Sequence, residues 1–261
     1  MPSGLLRVAV RNVAGASYPG NRYRTAAVQE AGFESVLSTG ADVLVLQEAT
    51  GVGRPFGVPT GWRALPASPL DRGCGSVIVA ADHVDIDLAW RPRHPVLDAF
   101  GAYLDFGLLH LEGTDIAVVS VHATRWQDAQ WAATGAAGPT PTSSDRPWSS
   151  DVLLDTLLAV LGDQQAILAG DWNEAPNFPT EGDPGTAAWF GRARAAGLVE
   201  AVGTTFGGPI RTNFCASTKA SYQNDHVFLT SGVAGRLRSV CVWNEPDARV
   251  SDHAGIIITL A

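Results

Sequence analysis

Residues 165–173 read Gln-Ala-Ile-Leu-Ala-Gly-Asp-Trp-Asn, a short apolar run that turns abruptly polar. The run is aliphatic, shorter than most helices and ended by a glycine, which is typical of a buried β-strand. Asp171 and Asn173 follow it two positions apart, so in an extended chain their side chains lie on the same side. This stretch therefore predicts a buried strand with a polar site at its carboxyl end.

The same pattern occurs elsewhere in the chain and predicts a sheet-built fold. Apolar runs at residues 5–10, 42–46 and 116–121 end in Arg-Asn, Gln-Glu and His, respectively. A strand-rich sequence with few helices favours stacked sheets with helices on the outside. We see no linker or repeat, so residues 1–261 are expected to form a single domain. Further strands are predicted at 74–81, 100–111, 226–230 and 255–260, and helices at 22–38, 150–162 and 186–197.

The composition excludes several classes of protein. The chain has 261 residues, of which 46% are hydrophobic, and this excludes intrinsically disordered, collagen-like and coiled-coil chains. Its 26 acidic residues outnumber the 18 basic ones, which gives a formal charge of −8. A protein that coats DNA phosphates needs a strong positive excess, so that class is disfavoured.

The cysteines and the N-terminal residues bear on the compartment. Cys74, Cys215 and Cys241 are far apart and show no metal-ligand spacing, which predicts reduced thiols. The first ten residues lack the charged region and the long apolar core of a secretory signal. No apolar run approaches the roughly 18 residues of a transmembrane helix. We therefore expect a cytoplasmic protein without membrane insertion, and no obligate protein partner is indicated.

Polar residues suited to catalysis lie at the end or edge of six apolar segments. Taken singly, an acidic residue at a strand end is more often a turn residue, and a lone histidine is more often part of the core. Because strand ends gather along one rim of a sheet, the six segments together favour a common cleft. The residues are Asn12, Glu48, His122, Asp171, Asn173, Asp225, Asp252 and His253.

Several short motifs follow one another between residues 7 and 258: Asn12, Gln47-Glu48, His122, Gly170-Asp171-Trp172-Asn173, Asp225-His226-Val227-Phe228 and Ser251-Asp252-His253. In this order, and placed after strands, they resemble the endonuclease/exonuclease/phosphatase superfamily. That superfamily includes deoxyribonuclease I-like nucleases, apurinic endonucleases, inositol polyphosphate phosphatases and neutral sphingomyelinases. The resemblance implies an α/β (α+β) fold, a four-layer sandwich of two packed mixed β-sheets with helices on the outside.

A phosphodiester resists hydrolysis because its negative oxygens repel a nucleophile, so a catalyst needs a cation there and a positioned water. Carboxylate oxygens suit Mg²⁺, and Mn²⁺ is the alternative. The resemblance implies Glu48 as the first metal ligand and Asp252 as a second ligand or a neighbour of the ligands. Asn12 would hold Glu48 or the metal's water through its amide.

The resemblance also implies the catalytic residues. Asp171 would act as the base or orient the attacking water, and Asn173 would donate to a phosphate oxygen. His253 would contact the scissile phosphate, and Asp225 would orient His253. Two assignments of the proton transfers stay open: Asp171 as base, or His253 as base with His122 as acid.

Some features bear on the branch of the superfamily. His122 resembles the deoxyribonuclease I and sphingomyelinase branches, whereas the apurinic endonucleases lead us to expect a tyrosine there. Deoxyribonuclease I-like enzymes place a glutamate beside this histidine, and neither Asp98 nor Asp105 fits that motif. The inositol phosphatase signature Trp-Cys-Asp-Arg is absent, because residues 222–226 read Tyr-Gln-Asn-Asp-His.

We expect a Mg²⁺-dependent phosphodiesterase, most simply a nuclease that takes DNA or RNA as its phosphoester substrate. The alternatives are a phosphatase or phosphodiesterase for a small or lipid-derived substrate, and an inactive binding module. The inactive module is disfavoured because every motif position carries a competent residue. Several arginines near the motifs could bind phosphate, or they could be ordinary surface residues. Several tryptophans border a loop at 134–147, where they could stack on bases or pack inward. These arginines and tryptophans are Arg11, Arg22, Arg24, Arg125, Trp126, Trp131 and Trp148.

Overall fold

The computed structural model describes residues 4–14, 25–50, 58–65, 74–123, 149–177, 185–214, 222–243 and 250–261. The strands in these residues are β1 (Leu6–Asn12), β2 (Val43–Thr50), β3 (Trp62–Ala64), β4 (Cys74–Ala81), β5 (Ile86–Asp87), β6 (Leu104–Leu111), β7 (Thr114–His122), β8 (Gln165–Asp171), β9 (Val199–Glu200), β10 (Asp225–Leu229), β11 (Leu237–Trp243) and β12 (Gly255–Leu260). The helices are α1 (Ala26–Leu37), α2 (Pro95–Ala99), α3 (Ser149–Leu161), α4 (Gly185–Ala195), α5 (Ala201–Phe206) and α6 (Ser231–Ala234).

The strands form two mixed sheets of six strands each. The first sheet has the order β11-β12-β1-β2-β4-β3, and the second has the order β5-β6-β7-β8-β10-β9. One pair in each sheet is parallel, β1 with β2 and β7 with β8, and the other neighbours are antiparallel. The parallel registers end with Asn12 opposite Gln47 and with His122 opposite Asp171. Each parallel pair therefore brings two polar strand ends side by side.

The central strands are apolar on both faces because both faces are buried. In β1, Val8 and Val10 belong to the core between the sheets, whereas Ala9 belongs to the core beneath α1. In β8, Ile167 lies between the sheets and Leu168 lies in the outer core of the second sheet. This period of two explains why the predicted strands have continuous apolar runs instead of alternating polarity.

The three longest helices, α1, α3 and α4, cover the outer faces of the two sheets, whereas the short α5 and α6 contribute to the core between the sheets. On the first sheet, Phe33 and Val36 of α1 pack against residues such as Leu44. On the second sheet, α3 and α4 supply an outer core that includes Trp189, which packs on Trp172 and Phe228. The order helix, sheet, sheet, helix confirms the four-layer sandwich.

The predicted strands and helices are all present, with shifted ends. Residues 100–103 are not part of β6, because α2 ends at Ala99 and a turn occupies the start of that predicted strand. The sequence did not indicate β3, β5 and β9, which have two or three residues each, nor α2, α5 and α6. It also missed β11, whose residues are mostly half-buried or exposed at a sheet edge. The loop at 134–147, Arg22, Arg24, Arg125, Trp126, Trp131, Trp148 and Cys215 lie outside the described residues.

Candidate active site

The site lies at the rim where the layer between the two sheets ends. Along β7, Val118 and Ser120 point between the sheets, and His122 continues the same row. Along β8, the row of Ile167 and Ala169 continues to Asp171. The other central strands contribute in the same way. Asn12 ends the inward row of β1, and Asp225 begins that of β10 opposite Asp171.

Asn12 joins the two sheets at this rim. Its Nδ2 donates to Oε1 of Glu48 at 3.2 Å and to Oδ2 of Asp171 at 2.9 Å. Its Oδ1 accepts from the backbone N–H of Ala14 at 2.8 Å, which fixes the orientation of the amide. The buried Asn12 amide therefore holds one carboxylate of each sheet within reach of the other.

Glu48 points to the rim because β2 is irregular there. The pairing of β2 with β4 shifts between Leu46 and Ala49, and Glu48 has a left-handed φ of 51°. Without this bulge, period two would place Glu48 with Leu46 on the outer face beneath α1. The left-handed backbone of a non-glycine residue costs about 1–3 kcal/mol. The bulge, at this cost in strain, turns the Glu48 carboxylate towards the site.

The residues next to the site lock the two sheets together. Nε2 of Gln47 donates to Oγ of Ser120 at 2.9 Å, and that hydroxyl donates to the Leu46 carbonyl at 3.0 Å. Gly170 faces the Gln47 side chain. A Cβ added to Gly170 would lie 2.9 Å from Cδ of Gln47 and 2.0 Å from the Val121 carbonyl oxygen. Only glycine fits there. This contact sets the spacing between the ends of β2 and β8.

His253 and Asp225 form a buried pair. Nδ1 of His253 lies 2.9 Å from Oδ2 of Asp225, and Nε2 lies 3.9 Å from Oδ2 of Asp171. Oγ of Ser251 donates to the Asn12 carbonyl at 2.7 Å and accepts from the His253 backbone N–H at 3.0 Å. Ser251 therefore anchors the histidine to the end of β1.

The buried charges shift each other's pKa values. Burial raises the pKa of Asp171 from 3.8 to about 6, against the opposing effects of His253, His122 and the Asn12 hydrogen bond. Burial lowers the pKa of His253, but the carboxylates of Asp225 and Asp171 outweigh it and hold that pKa well above 6.5. The neighbouring carboxylates therefore favour the protonated, positively charged form of the His253 ring.

His122 lies on the other side of Glu48 and Asp171. Its Nε2 is 3.5 Å from Oε1 of Glu48 and 4.0 Å from Oδ2 of Asp171. Its Nδ1 is buried and has no hydrogen-bond partner among the described residues. Asp105 does not act as the partner of the His122 Nδ1, since its Oδ2 accepts from the Ile78 backbone N–H at 2.7 Å.

Asn173 and Asp252 are less closely tied to this group. Asn173, with a left-handed φ of 50°, donates its backbone N–H to Oδ1 of Asp171 at 3.0 Å and its Nδ2 to the Ala123 carbonyl at 2.8 Å. Asp252 is half-buried, and its backbone carbonyl accepts from Phe214 at 2.7 Å. Within the described part of the chain, no hydrogen bond or ion pair joins the Asp252 carboxylate to the other predicted residues.

Sequence reasoning missed two residues that contact the site. Oγ1 of Thr212 accepts from the backbone N–H groups of Asn224 and Asp225 at 3.0 and 3.1 Å. Nδ2 of Asn213 lies 3.3 Å from Nε2 of His253, and the two residues also form an isolated β-bridge. Both precede the Asp225 motif by more than ten positions and follow no apolar run, so no local pattern marks them.

Arg11 is not placed to bind substrate, and it is not a surface residue either. It is 2% exposed, donates to Oγ of Ser35 at 2.8 Å and stacks on Trp243 with its guanidinium carbon 5.4 Å from the ring centre. It alternates with Asn12 along β1 and so lies beneath α1 on the outer face of the first sheet.

The donor atoms fit a hard divalent cation. Asp171, Asp225 and His253 offer ligand atoms within 4.8 Å of one another, and Glu48 adds a carboxylate through Asn12. Oδ1 of Asp225 is buried and has no hydrogen-bond partner in the described ranges. Carboxylate oxygens favour a hard cation over a soft one.

A family model described as "Endonuclease/Exonuclease/phosphatase family" matches residues 12–253, from the first site residue to the last. The chain belongs to this family. It is therefore a phosphoester hydrolase, and the family's divalent-metal chemistry agrees with the donor set at the rim. No curated protein matches the chain significantly. Within the described residues, no helix has the length and apolar character needed to cross a membrane.

Three solved structures share the fold of this chain. The AP endonuclease LMAP from Leishmania major superposes with a TM-score of 0.69 at 15% identity, over 100% of this chain and 89% of its own. The 3′ phosphatase NExo from Neisseria, bound to product DNA hairpin, superposes with a TM-score of 0.68 at 17% identity, over 98% of this chain and 99% of its own. The endonuclease domain of TRAS1, a telomere-specific non-LTR retrotransposon, superposes with a TM-score of 0.61 at 16% identity, over 98% of both chains.

Proposed function

We propose that the protein is a Mg²⁺-dependent phosphodiesterase, most simply a nuclease, with Mn²⁺ as a second competent ion. The observation that carries this proposal is the Asn12 amide, which bonds both Glu48 and Asp171 within 3.2 Å while the His253–Asp225 pair faces Asp171. A carboxylate, an amide and an imidazole whose protonated form is favoured, gathered at one rim, are the groups that phosphoester hydrolysis needs.

Glu48 would hold the metal, with Asn12 fixing the position of its carboxylate. The bound ion would neutralise the phosphate oxygens and stabilise the leaving oxygen. His253 belongs to the neighbouring set of donors, but its Nδ1 is bound to Asp225 at 2.9 Å, and because the nearby carboxylates raise its pKa, its Nε2 is suited to donate to an anion and not to ligate a cation. We therefore assign His253 to the substrate and not to the metal. Asp252 as a ligand stays a prediction.

The remaining residues divide the work on the phosphate and the water. His253 donates from Nε2 to a phosphate oxygen, and Asp225 holds its ring through Nδ1. Asp171, fixed by Asn12 and by the Asn173 backbone, orients the attacking water or takes its proton. Asn173 already donates one amide hydrogen to the Ala123 carbonyl, and it donates the other to the phosphate. His122 stands beside Glu48 as the alternative acid.

A nucleic acid is the substrate we favour, because the AP endonuclease, the 3′ phosphatase and the retrotransposon endonuclease named above share this fold. The chain has 26 acidic residues and 18 basic ones, and this excess of acids argues against extensive binding to the phosphates of a duplex. It favours a single-stranded substrate, and it keeps a small or lipid-derived phosphodiester as the second candidate.

One assay tests the proposal. The pure protein is incubated with Mg²⁺, Mn²⁺ or EDTA and with plasmid, single-stranded DNA, RNA, bis-p-nitrophenyl phosphate and p-nitrophenyl phosphate. We expect metal-dependent turnover of the diesters. Turnover of the monoester alone would exclude a nuclease, and equal turnover in EDTA would exclude the metal. Cleavage of bis-p-nitrophenyl phosphate without cleavage of any nucleic acid would favour the second candidate.

A further inference from the structure

A short extended segment, Arg211 to Phe214, runs beside the catalytic histidine. Asn213 contacts Nε2 of His253, and the backbone N–H of Phe214 donates to the Asp252 carbonyl at 2.7 Å. Thr212 is fully buried, whereas its neighbours Arg211 and Asn213 are half-buried. Because side chains alternate in an extended chain, the half-buried Arg211 and Asn213 lie on the side opposite Thr212, which we call the open face of the segment.

Backbone and side-chain contacts fix this segment on both sides. Thr212 donates its backbone N–H to the Tyr222 carbonyl at 3.0 Å and accepts from Ala254 at 2.7 Å. Its hydroxyl oxygen also receives the Asp225 N–H at 3.1 Å. The segment is thereby attached to the motif that carries Asp225 and to the motif that carries His253, so its open face has a defined position relative to both.

Arg211 is held in a single orientation. Its Nε donates to the Asn213 carbonyl at 3.0 Å, and its guanidinium carbon lies 4.5 Å from the centre of the Phe214 ring. These contacts use Nε and one flat face, and no described residue forms a hydrogen bond or ion pair with the edge formed by the two terminal nitrogens. That edge is the fork that binds a phosphate bidentately.

Two other described arginines have carboxylate partners, which Arg211 lacks among the described residues. Arg192 pairs with Asp151 and Asp155, and Arg236 pairs with Glu112. No ion pair between Arg211 and a carboxylate is found in the described part of the chain. A guanidinium oriented by its own segment and left without an acid, next to a site for an anionic substrate, is suited to bind that substrate.

We propose that Arg211 binds a phosphate of the substrate other than the scissile one, so that the site selects a nucleic acid strand over an isolated phosphoester. This inference rests on the proposed function and adds the substrate class to it. A strand carries phosphates on both sides of the bond that is cut, whereas bis-p-nitrophenyl phosphate carries one. Arg211 therefore contributes to affinity for a strand much more than to turnover of the small diester.

Binding in EDTA tests this subsite without turnover. We would measure fluorescence anisotropy of a short labelled oligothymidylate with the full chain over a range of salt concentrations. Arg211→Gln should raise Kd about tenfold, the usual worth of a charge-assisted hydrogen bond. It should also reduce the slope of log K against log salt by about 0.7, the value for one phosphate contact on a single strand. Arg211→Lys keeps the charge and should keep the slope.

The control is Arg194→Gln, because Arg194 is exposed in α4. It should leave both Kd and the slope unchanged. A wild-type protein that does not bind the oligonucleotide, or an Arg211→Gln variant with wild-type Kd and slope, would overturn the inference. A thermal melt of each variant separates these outcomes from loss of fold.

Turnover separates this inference from the proposed function. With Mg²⁺, Arg211→Gln should lower kcat/KM for the oligonucleotide about tenfold more than kcat/KM for bis-p-nitrophenyl phosphate. Equal losses on the two substrates would overturn the subsite while the phosphodiesterase stands. Strand binding that depends on Arg211, without turnover of any diester, would overturn the phosphodiesterase while the subsite stands.

Discussion

Gly170 of β8 and Gln47 of β2 touch across the two sheets, and no side chain fits between them. A Cβ on Gly170 would lie 2.9 Å from Cδ of Gln47 and 2.0 Å from the Val121 carbonyl oxygen, and φ is 142°. Gly170→Ala should therefore lower the free energy of unfolding by about 3 kcal/mol or more, since overpacking and strain add. The urea denaturation midpoint measures this.

Gly191→Ala is the matched control for that substitution. Gly191 lies in α4, and nothing lies within 4 Å of a Cβ added there. Because alanine favours a helix over glycine, this variant should be more stable by about 0.5–1 kcal/mol. If Gly170→Ala lost less than about 1 kcal/mol, the close contact between the sheets would be wrong.

Asp225→Asn should impair catalysis without unfolding the protein. Asp225 accepts from Nδ1 of His253 at 2.9 Å, and an amide nitrogen in its place would present a donor to that ring. Loss of the oriented imidazolium should lower kcat by about 10²–10⁴-fold on bis-p-nitrophenyl phosphate. Asp155→Asn, which removes a carboxylate paired with Arg192 on the outer helices, should keep wild-type kcat. A fully active Asp225→Asn would refute the orienting role.

Glu48→Gln keeps the shape of the side chain and its contact to Asn12 but removes the charge. We expect at least a tenfold weaker affinity for Mn²⁺ by isothermal titration calorimetry and a matching rise in the Mg²⁺ concentration for half-maximal turnover. Glu112→Gln is the control, because Glu112 is exposed and has a similar left-handed φ of 48°. Unchanged Mn²⁺ affinity of Glu48→Gln would place the metal elsewhere.

Much of the site can be predicted from strand patterns because its residues continue the inward rows of buried strands. Asp171 follows Ile167 and Ala169 at period two, and His122 follows Val118 in the same way. Those positions depend only on local sequence. The same rule applied to β1 separates Arg11 from Asn12, so Arg11 is neither the phosphate-binding residue nor the surface residue that its position in the sequence left open.

The remaining residues depend on contacts between distant segments. Glu48 would face away from the site if β2 were regular, and no residue type in that strand marks the bulge. Asn213 contacts His253 through a pairing of residues 40 positions apart. Such contacts follow from the packing of the whole sandwich, so a motif search does not find Asn213, Thr212 or Arg211.

Asp105 predicts a pH dependence of stability away from the metal site. Burial raises its pKa from 3.8 to about 7, against the opposing Ile78 and Phe106 backbone hydrogen bonds and Arg91. Between these two pKa values the folded protein holds a proton that the unfolded chain has released. The unfolding free energy should therefore fall as the pH rises through this range and level off above about pH 7.

Asp105→Asn should remove that dependence, because an amide oxygen can still accept from Ile78 and carries no charge. As the pH rises from 5.5 to 8, its free energy of unfolding should increase by about 2 kcal/mol relative to that of the wild type, measured by urea denaturation at each pH. Asp98→Asn, an exposed residue in α2, should follow the wild-type curve. Parallel curves for Asp105→Asn and the wild type would show that Asp105 is ionised across the whole range.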